Sequence, residues 1–309
     1  LGAVAPVKSP FPGERGQGDR GSELEVCFKN ILFLQTGAVY NRTAFLFDYP
    51  PHPCYNYSNK KNHGGKCMHY YEYGKENDKT IVFLHGANFV HSFGRQYPLA
   101  EKYHLIIPHI MGYGDAADEI FDTETAVKQL ADFIADIGKK VTLVGFSLGA
   151  QLSVKLCAEY PQYFTSAIIV SPWLIKKEPM LSKVMAMNEK QFASFKNKRL
   201  CGFIGFMNGL PKEQRKEFVA QMQNVRIETV RSSVDNGITL ETINGFENAY
   251  FPMIALAGSK EQTEVHDSVK GLAAMNKNCR YEIWDKAAHN IPPVFSKRFN
   301  ELIIRMAEI

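Results

Sequence analysis

Five residues, Gly145-Phe146-Ser147-Leu148-Gly149, constrain this chain more than any other stretch. They follow the apolar run Val141 to Val144 and precede the helix-like segment Ala150 to Tyr160, so a strand must turn into a helix within a few residues. A turn that tight forces its central serine into a backbone conformation that side chains disfavour. The positions two before and two after need glycine so that strand and helix can approach. The product is a serine oxygen exposed at a helix N-terminus, the arrangement termed a nucleophile elbow. A surface loop could carry the same letters, so the weight falls on what surrounds them.

The surroundings are regular from Gly65 onward. Lys66 to Tyr73 alternates as a strand, Gly74 to Asp78 turns, and Thr80 to Leu84 is a buried strand ending in His85-Gly86. Tyr103 to Ile107 is the next strand. Asp122 can cap a helix whose apolar positions Ala126, Val127, Leu130, Ile134 and Ile137 recur at helical spacing, and Gly138 stops it. After the elbow comes strand Ala167 to Val170. Strands alternating with helices predict an α/β fold with a mostly parallel, doubly wound sheet covered on both faces. The rhythm breaks at Ser171-Pro172-Trp173. Residues 172–250 lack buried strands and contain helical stretches such as Pro211 to Gln223, which reads as a helical insertion over one end of the sheet. Strands resume with Phe251 to Gly258 and Arg280 to Asp285. A final amphipathic helix carries Val294, Phe295, Phe299, Leu302, Ile303 and Met306.

Residues 1–60 differ in character. Pro6, Pro10, Pro12, a Gly/Arg-rich run to Gly21, and Pro50-Pro51-His52-Pro53 mark an N-terminal extension, disordered or in part vector-derived, before a core of 61–171 and 251–309. The apolar patch Ile31 to Leu34 is too short for a signal-sequence core. Asn41-Arg-Thr43 and Asn56-Tyr-Ser58 fit a glycosylation acceptor pattern that arises readily by chance.

A serine hydroxyl is a poor nucleophile at neutral pH, so Ser147 needs a base to take its proton and a carboxylate to orient that base. His289 is the best-placed of nine histidines, following a strand in Ala287-Ala288-His289-Asn290 before Pro292-Pro293. Glu261 lies just beyond the carboxyl end of the strand Met253 to Ala257. Its neighbours leave Glu264, Asp267 and Asp285 as alternatives. The chain order Ser147, Glu261, His289 is that of nucleophile-elbow hydrolases. Two backbone N–H groups would hold the oxyanion, from Leu148 after the nucleophile and from Ala87 in His85-Gly86-Ala87-Asn88. His85 is expected to orient that loop rather than bind metal. Asn88, His91, Trp173 and Phe206 are expected at the substrate, though most of the insertion's aromatics would simply pack its core.

On these motifs residues 65 to 309 resemble the α/β-hydrolase superfamily, in the version with a helical cap inserted after the sixth strand. The resemblance rests on His85-Gly86, Gly112-Tyr113-Gly114-Asp115, the elbow, Gly258-Ser-Lys-Glu261 and Ala288-His289. Two positions depart from the pattern. Pro108 is followed by His109 where relatives often carry aspartate, and the acid is glutamate rather than the more frequent aspartate. The resemblance implies a cofactor-free serine esterase acting on a small-molecule ester through an acyl-enzyme. The same fold also hosts thioester, amide, lactone and carbon–carbon bond hydrolases, and a ligand receptor with weak hydrolase activity is a second reading.

A net charge of +4 without a basic run interleaved with aromatics argues against nucleic acid, and no apolar stretch is long enough to span a bilayer. Six scattered cysteines without zinc-type spacing suggest reduced thiols in a cytoplasmic protein and no metal site. A monomer or homodimer is expected.

Overall fold

Eight short runs pair into one sheet in a computed structural model of the chain, which describes residues 56–61, 67–207 and 210–309. They are β1 (Asn56–Lys61), β2 (Cys67–Tyr73), β3 (Thr80–Leu84), β4 (His104–Pro108), β5 (Val141–Phe146), β6 (Phe164–Val170), β7 (Met253–Gly258) and β8 (Cys279–Trp284). Their spatial order is β1-β2-β4-β3-β5-β6-β7-β8. The β1/β2 and β2/β4 pairs are antiparallel, and every pair from β4 to β8 is parallel. β3, β4 and β5 are buried at every residue, which explains why they read as continuous apolar runs.

The period of two along the strands divides the core. Val82, Leu84, Leu143, Ala167 and Ile169 point to one face, where α1 (Thr123–Ala135), α2 (Leu148–Glu159) and α7 (Thr263–Met275) cover them. Ile81, Phe83, Val144, Ile168 and Val170 point to the other, beneath the 3₁₀ turns of Val90–Glu101 and the final helix α9 (Ser296–Ala307). Each fully buried Leu, Ile or Phe contributes about 1.5–3 kcal/mol of apolar transfer, so both layers are needed to hold the sheet. Asp122 caps α1 as its position suggests, its carboxylate accepting from Thr125 N–H at 2.9 Å.

Between β6 and β7 the chain forms α3 (Met180–Lys196), α4 (Lys198–Met207), α5 (Lys212–Asn224) and α6 (Ile227–Val234), with no strand of the sheet among the described residues. These helices meet the core at the carboxyl ends of the parallel strands, the end where open α/β sheets carry their sites.

Two expectations need correction. Residues 56–60, read as the end of an extension, belong to β1 and hydrogen-bond along β2, so the Asn56 acceptor triplet lies on an edge strand. The readings of residues 1–55, including the Asn41 triplet and the Ile31 to Leu34 patch, lie outside the described residues. The final helix is also divided. Pro292-Pro293 sit in a separate turn, α8 (Ile291–Val294), and the helix restarts at Ser296, which leaves Val294 exposed instead of in the amphipathic face. Among the described residues no helix is long and apolar enough to cross a membrane.

Candidate active site

β5 delivers Phe146 directly into Ser147, whose φ of 55° and ψ of −114° fall outside the regions side chains favour. The flanking glycines explain how the turn closes. A Cβ on Gly145 would lie 2.2 Å from Ser153 Oγ and 2.4 Å from Gly149 O, and one on Gly149 would lie 2.0 Å from Leu84 O. The Gly149 N–H donates to His85 O at 3.1 Å, tying the start of α2 to the loop after β3. Ser147 N–H donates to Val170 O at 2.9 Å, which ties the elbow to the end of β6.

His289 arrives from the loop after β8, with Nε2 at 3.1 Å from Ser147 Oγ and Nδ1 at 2.8 Å from Glu261 Oε1. The imidazole is one-third exposed and packs against Phe146, while the Glu261 side chain is only 4% exposed. Burial pushes the Glu261 carboxyl up. The hydrogen bond and charge of His289, the Gly258 N–H and the Ser171 hydroxyl outweigh it and hold the group below the usual carboxylate range. Of the alternative acids, none of Glu264, Asp267 or Asp285 makes a side-chain contact to His289; Asp267 pairs with Lys270 instead.

Ala87 and Leu148 both line the cavity beside Ser147. Neither N–H has a hydrogen-bond acceptor among the described residues, so both are unengaged beside the serine. His85, fully buried, braces this loop: its Nδ1–H donates to Gly86 O at 2.7 Å and its Nε2 accepts from Ile110 N–H at 3.0 Å. Burial lowers its pKa to about 4, so the ring is neutral, as these two bonds require. His109, the departure from the family pattern after Pro108, is fully buried. Its Nδ1 accepts from Asp115 N–H at 3.0 Å, so a buried neutral imidazole holds the Gly112–Asp115 turn. Burial, with smaller contributions from His85 and His91, pushes its pKa well down.

A cavity of about 320 Å³ opens above Ser147. Its floor includes Gly86, Phe146, Leu148 and Gln151, and its roof includes Val184, Met187, Asn188 and Gln191 of α3, Leu210, and Ser233 and Val234 of α6. Asn88, at φ 66°, and Trp173 line it. His91 also lines it, but both ring nitrogens are engaged: Nδ1 accepts from Tyr97 O–H at 2.8 Å and Nε2–H donates to Glu217 of α5 at 3.2 Å. These two bonds join the loop after β3 to α5.

Phe206 requires correction. It is 57% exposed, lies outside the cavity and sits under the Arg215 guanidinium, because α4 turns Cys201, Ile204 and Gly205 inward and leaves Phe206 on the opposite side. Residues the sequence reading missed include Ser171 and the α3 face. Val184, Met187, Asn188 and Gln191 fall at i, i+3, i+4 and i+7, a visible helical stripe that reads equally well as ordinary packing. Among the described residues no cluster of His, Cys, Asp and Glu could hold a metal ion, and Cys157, Cys201 and Cys279 are buried, unpaired thiols.

The sequence model of a family described as alpha/beta hydrolase fold matches residues 79–292. Among solved structures, a serine hydrolase from the polyaromatic hydrocarbon-degrading bacterium Cycloclasticus zankles is 21% identical with a TM-score of 0.62, covering 81% of this chain and 96% of its own. An epoxide hydrolase from Vigna radiata is 16% identical with a TM-score of 0.62 over 82% and 98%. An esterase from Exiguobacterium antarcticum is 15% identical with a TM-score of 0.62 over 82% and 100%. At such identities the likeness is one of fold.

Proposed function

The chain belongs to the alpha/beta hydrolase fold family, and from that premise we propose that it is a serine hydrolase cleaving a carboxylic ester through an acyl-enzyme. The observation that carries the proposal is the unbroken line Ser147 Oγ, His289 Nε2, His289 Nδ1, Glu261 Oε1, with separations of 3.1 and 2.8 Å. A nucleophile, a base in reach of its proton and a carboxylate orienting that base are together sufficient for acyl transfer.

In this mechanism Ser147 Oγ attacks the ester carbonyl carbon while its proton passes to His289 Nε2. The carbonyl oxygen becomes an oxyanion that accepts from Ala87 and Leu148 N–H. Collapse of the tetrahedral intermediate breaks the C–O bond, and His289 returns the proton to the departing alkoxide. Water then attacks the acyl-enzyme, giving its proton to His289. The second collapse releases the carboxylic acid and restores the serine hydroxyl. Glu261 keeps the imidazole in the tautomer that presents Nε2 to Ser147 and stabilises the imidazolium.

The serine at the elbow favours this chemistry over epoxide opening, which relatives perform with an aspartate there. The four helices α3–α6 act as a cap whose inner wall selects the substrate. That wall is largely apolar at Val184, Met187, Leu210 and Val234, with Asn188 and Gln191 beside it. Such a surface suits an acyl chain of modest length. The test is a panel of p-nitrophenyl esters of increasing chain length, run on wild type and Ser147→Ala. Turnover should fall by about four to six orders of magnitude in the variant. Retention of most activity would refute the mechanism.

A further inference from the structure

We propose that Ser171 is a positioning residue for the Glu261–His289 pair, its hydroxyl locking the carboxylate oxygen that faces away from the imidazole. The inference rests on the serine-hydrolase reading above. Ser171 is the first residue after β6, where the chain leaves the sheet for α3, and it is only 1% exposed. Its hydroxyl donates to Glu261 Oε2 at 2.8 Å, and the Gly258 N–H donates to the same oxygen at 2.7 Å. Oε1 is left to accept from His289 Nδ1–H at 2.8 Å.

A carboxylate held through one oxygen can swing, because its terminal torsion is broad. Locking Oε2 removes that freedom. The two donors differ in what they fix. Gly258 is the last residue of β7, three residues before Glu261, so its N–H ties the carboxylate only to the strand that leads into it. Ser171 follows a different strand, β6, and its own N–H donates to Leu256 O of β7 at 2.7 Å, so its hydroxyl ties the carboxylate across to the neighbouring strand end. Its neighbour Val170 accepts the Ser147 N–H. Nucleophile and acid are therefore both referenced to the end of β6, closing a ring of contacts through Ser147, His289, Glu261, Ser171 and Val170.

The backbone supplies a second, independent observation. Ser171 has φ 55°, a left-handed conformation that glycine adopts freely and a serine adopts at a cost. A residue serving only the turn would do better as glycine. What serine adds is the hydroxyl, and the hydroxyl is committed to Glu261.

The experiment compares full-length wild type, Ser171→Gly and Ser171→Ala. It measures kcat and KM across pH on a p-nitrophenyl ester, the rate of fluorophosphonate labelling at Ser147, and thermal unfolding. Loss of one hydrogen bond to a charged group should lower kcat about ten- to a hundredfold with KM little changed. The acid limb of kcat/KM should move to higher pH, because the ionised carboxylate loses a donor. Ser171→Gly should unfold later than Ser171→Ala, since both lose the bond and only glycine relieves the left-handed backbone. Wild-type kcat and pH profile in either variant would overturn the proposal. So would a loss of activity that merely follows a loss of the folded state in both. Failure of wild type to label at Ser147 would overturn the hydrolase reading itself, an outcome distinct from normal labelling with unaffected variants.

Discussion

Replacing His85 with asparagine should make the folded protein less sensitive to acid. In wild type the buried imidazole has a pKa of about 4, against the ordinary 6.5 it recovers on unfolding. A histidine depressed in the folded state contributes stability that is complete above the unfolded pKa and is lost as pH falls through the folded one. Between about pH 7.5 and 4.5 that loss comes to about 2.5 kcal/mol. The shorter asparagine side chain would keep an N–H for Gly86 O but strip Ile110 N–H of its acceptor, so His85→Asn should be about 1–3 kcal/mol less stable at neutral pH. That deficit should shrink, and approach zero or reverse, as pH falls. The comparison with wild type matters because Glu217, raised by burial to about 7, acts in the opposite sense. Its contribution is full below the ordinary carboxylate range and lost as pH rises toward 7, and it cancels in the difference. Urea unfolding of both proteins over this range provides the measurement. A stability difference that stays constant with pH would refute the reasoning that His85 is held neutral by burial.

Gly149→Ala should abolish the folded state or cost more than about 4 kcal/mol, because the added methyl meets backbone atoms of Leu84 and His85 that cannot give way; chemical denaturation checks it. Glu261→Gln preserves shape but removes the charge and disturbs the imidazole tautomer, so kcat should drop by about three to four orders of magnitude in steady-state assays. Met187→Ala removes bulk from the cavity roof and should shift the ratio of kcat/KM between longer and shorter p-nitrophenyl esters about tenfold toward the longer, the equivalent of one to two buried methylenes. Phe206→Ala, outside the cavity, should leave that ratio unchanged.

What could be read from the letters was what local geometry dictates. The elbow glycines are required by contacts within a few residues of Ser147 or with the adjacent strand, and they announce themselves by spacing. The sheet followed from strand-length apolar runs, because strands buried on both faces leave polar side chains without water. The Ser171 contact was invisible for the opposite reason. It depends on the register in which Val170 lies beside Leu256, and nothing in the sequence fixes the pairing of β6 with β7, separated as they are by four helices. Phe206 was misjudged because aromatic identity carries no direction. Only the inward turn of Cys201, Ile204 and Gly205 decides which side of α4 it occupies. His109 departs from the superfamily pattern by sequence, and its role lies in a contact the letters do not carry, its ring nitrogen accepting from Asp115 N–H. The N-terminal boundary is hard to place from sequence because Asn56–Lys61 has only Tyr57 among polar residues and reads as loop, whereas an edge strand needs only a partner for its backbone.

The central claim is that Ser147 becomes covalently acylated. Rapid mixing with p-nitrophenyl acetate, acid quenching within the first turnover and mass analysis of the proteolysed protein test it directly. The account predicts a burst of p-nitrophenol together with an acetylated peptide carrying Ser147, both absent from Ser147→Ala. Steady hydrolysis without the adduct, or an adduct on another residue, would contradict it.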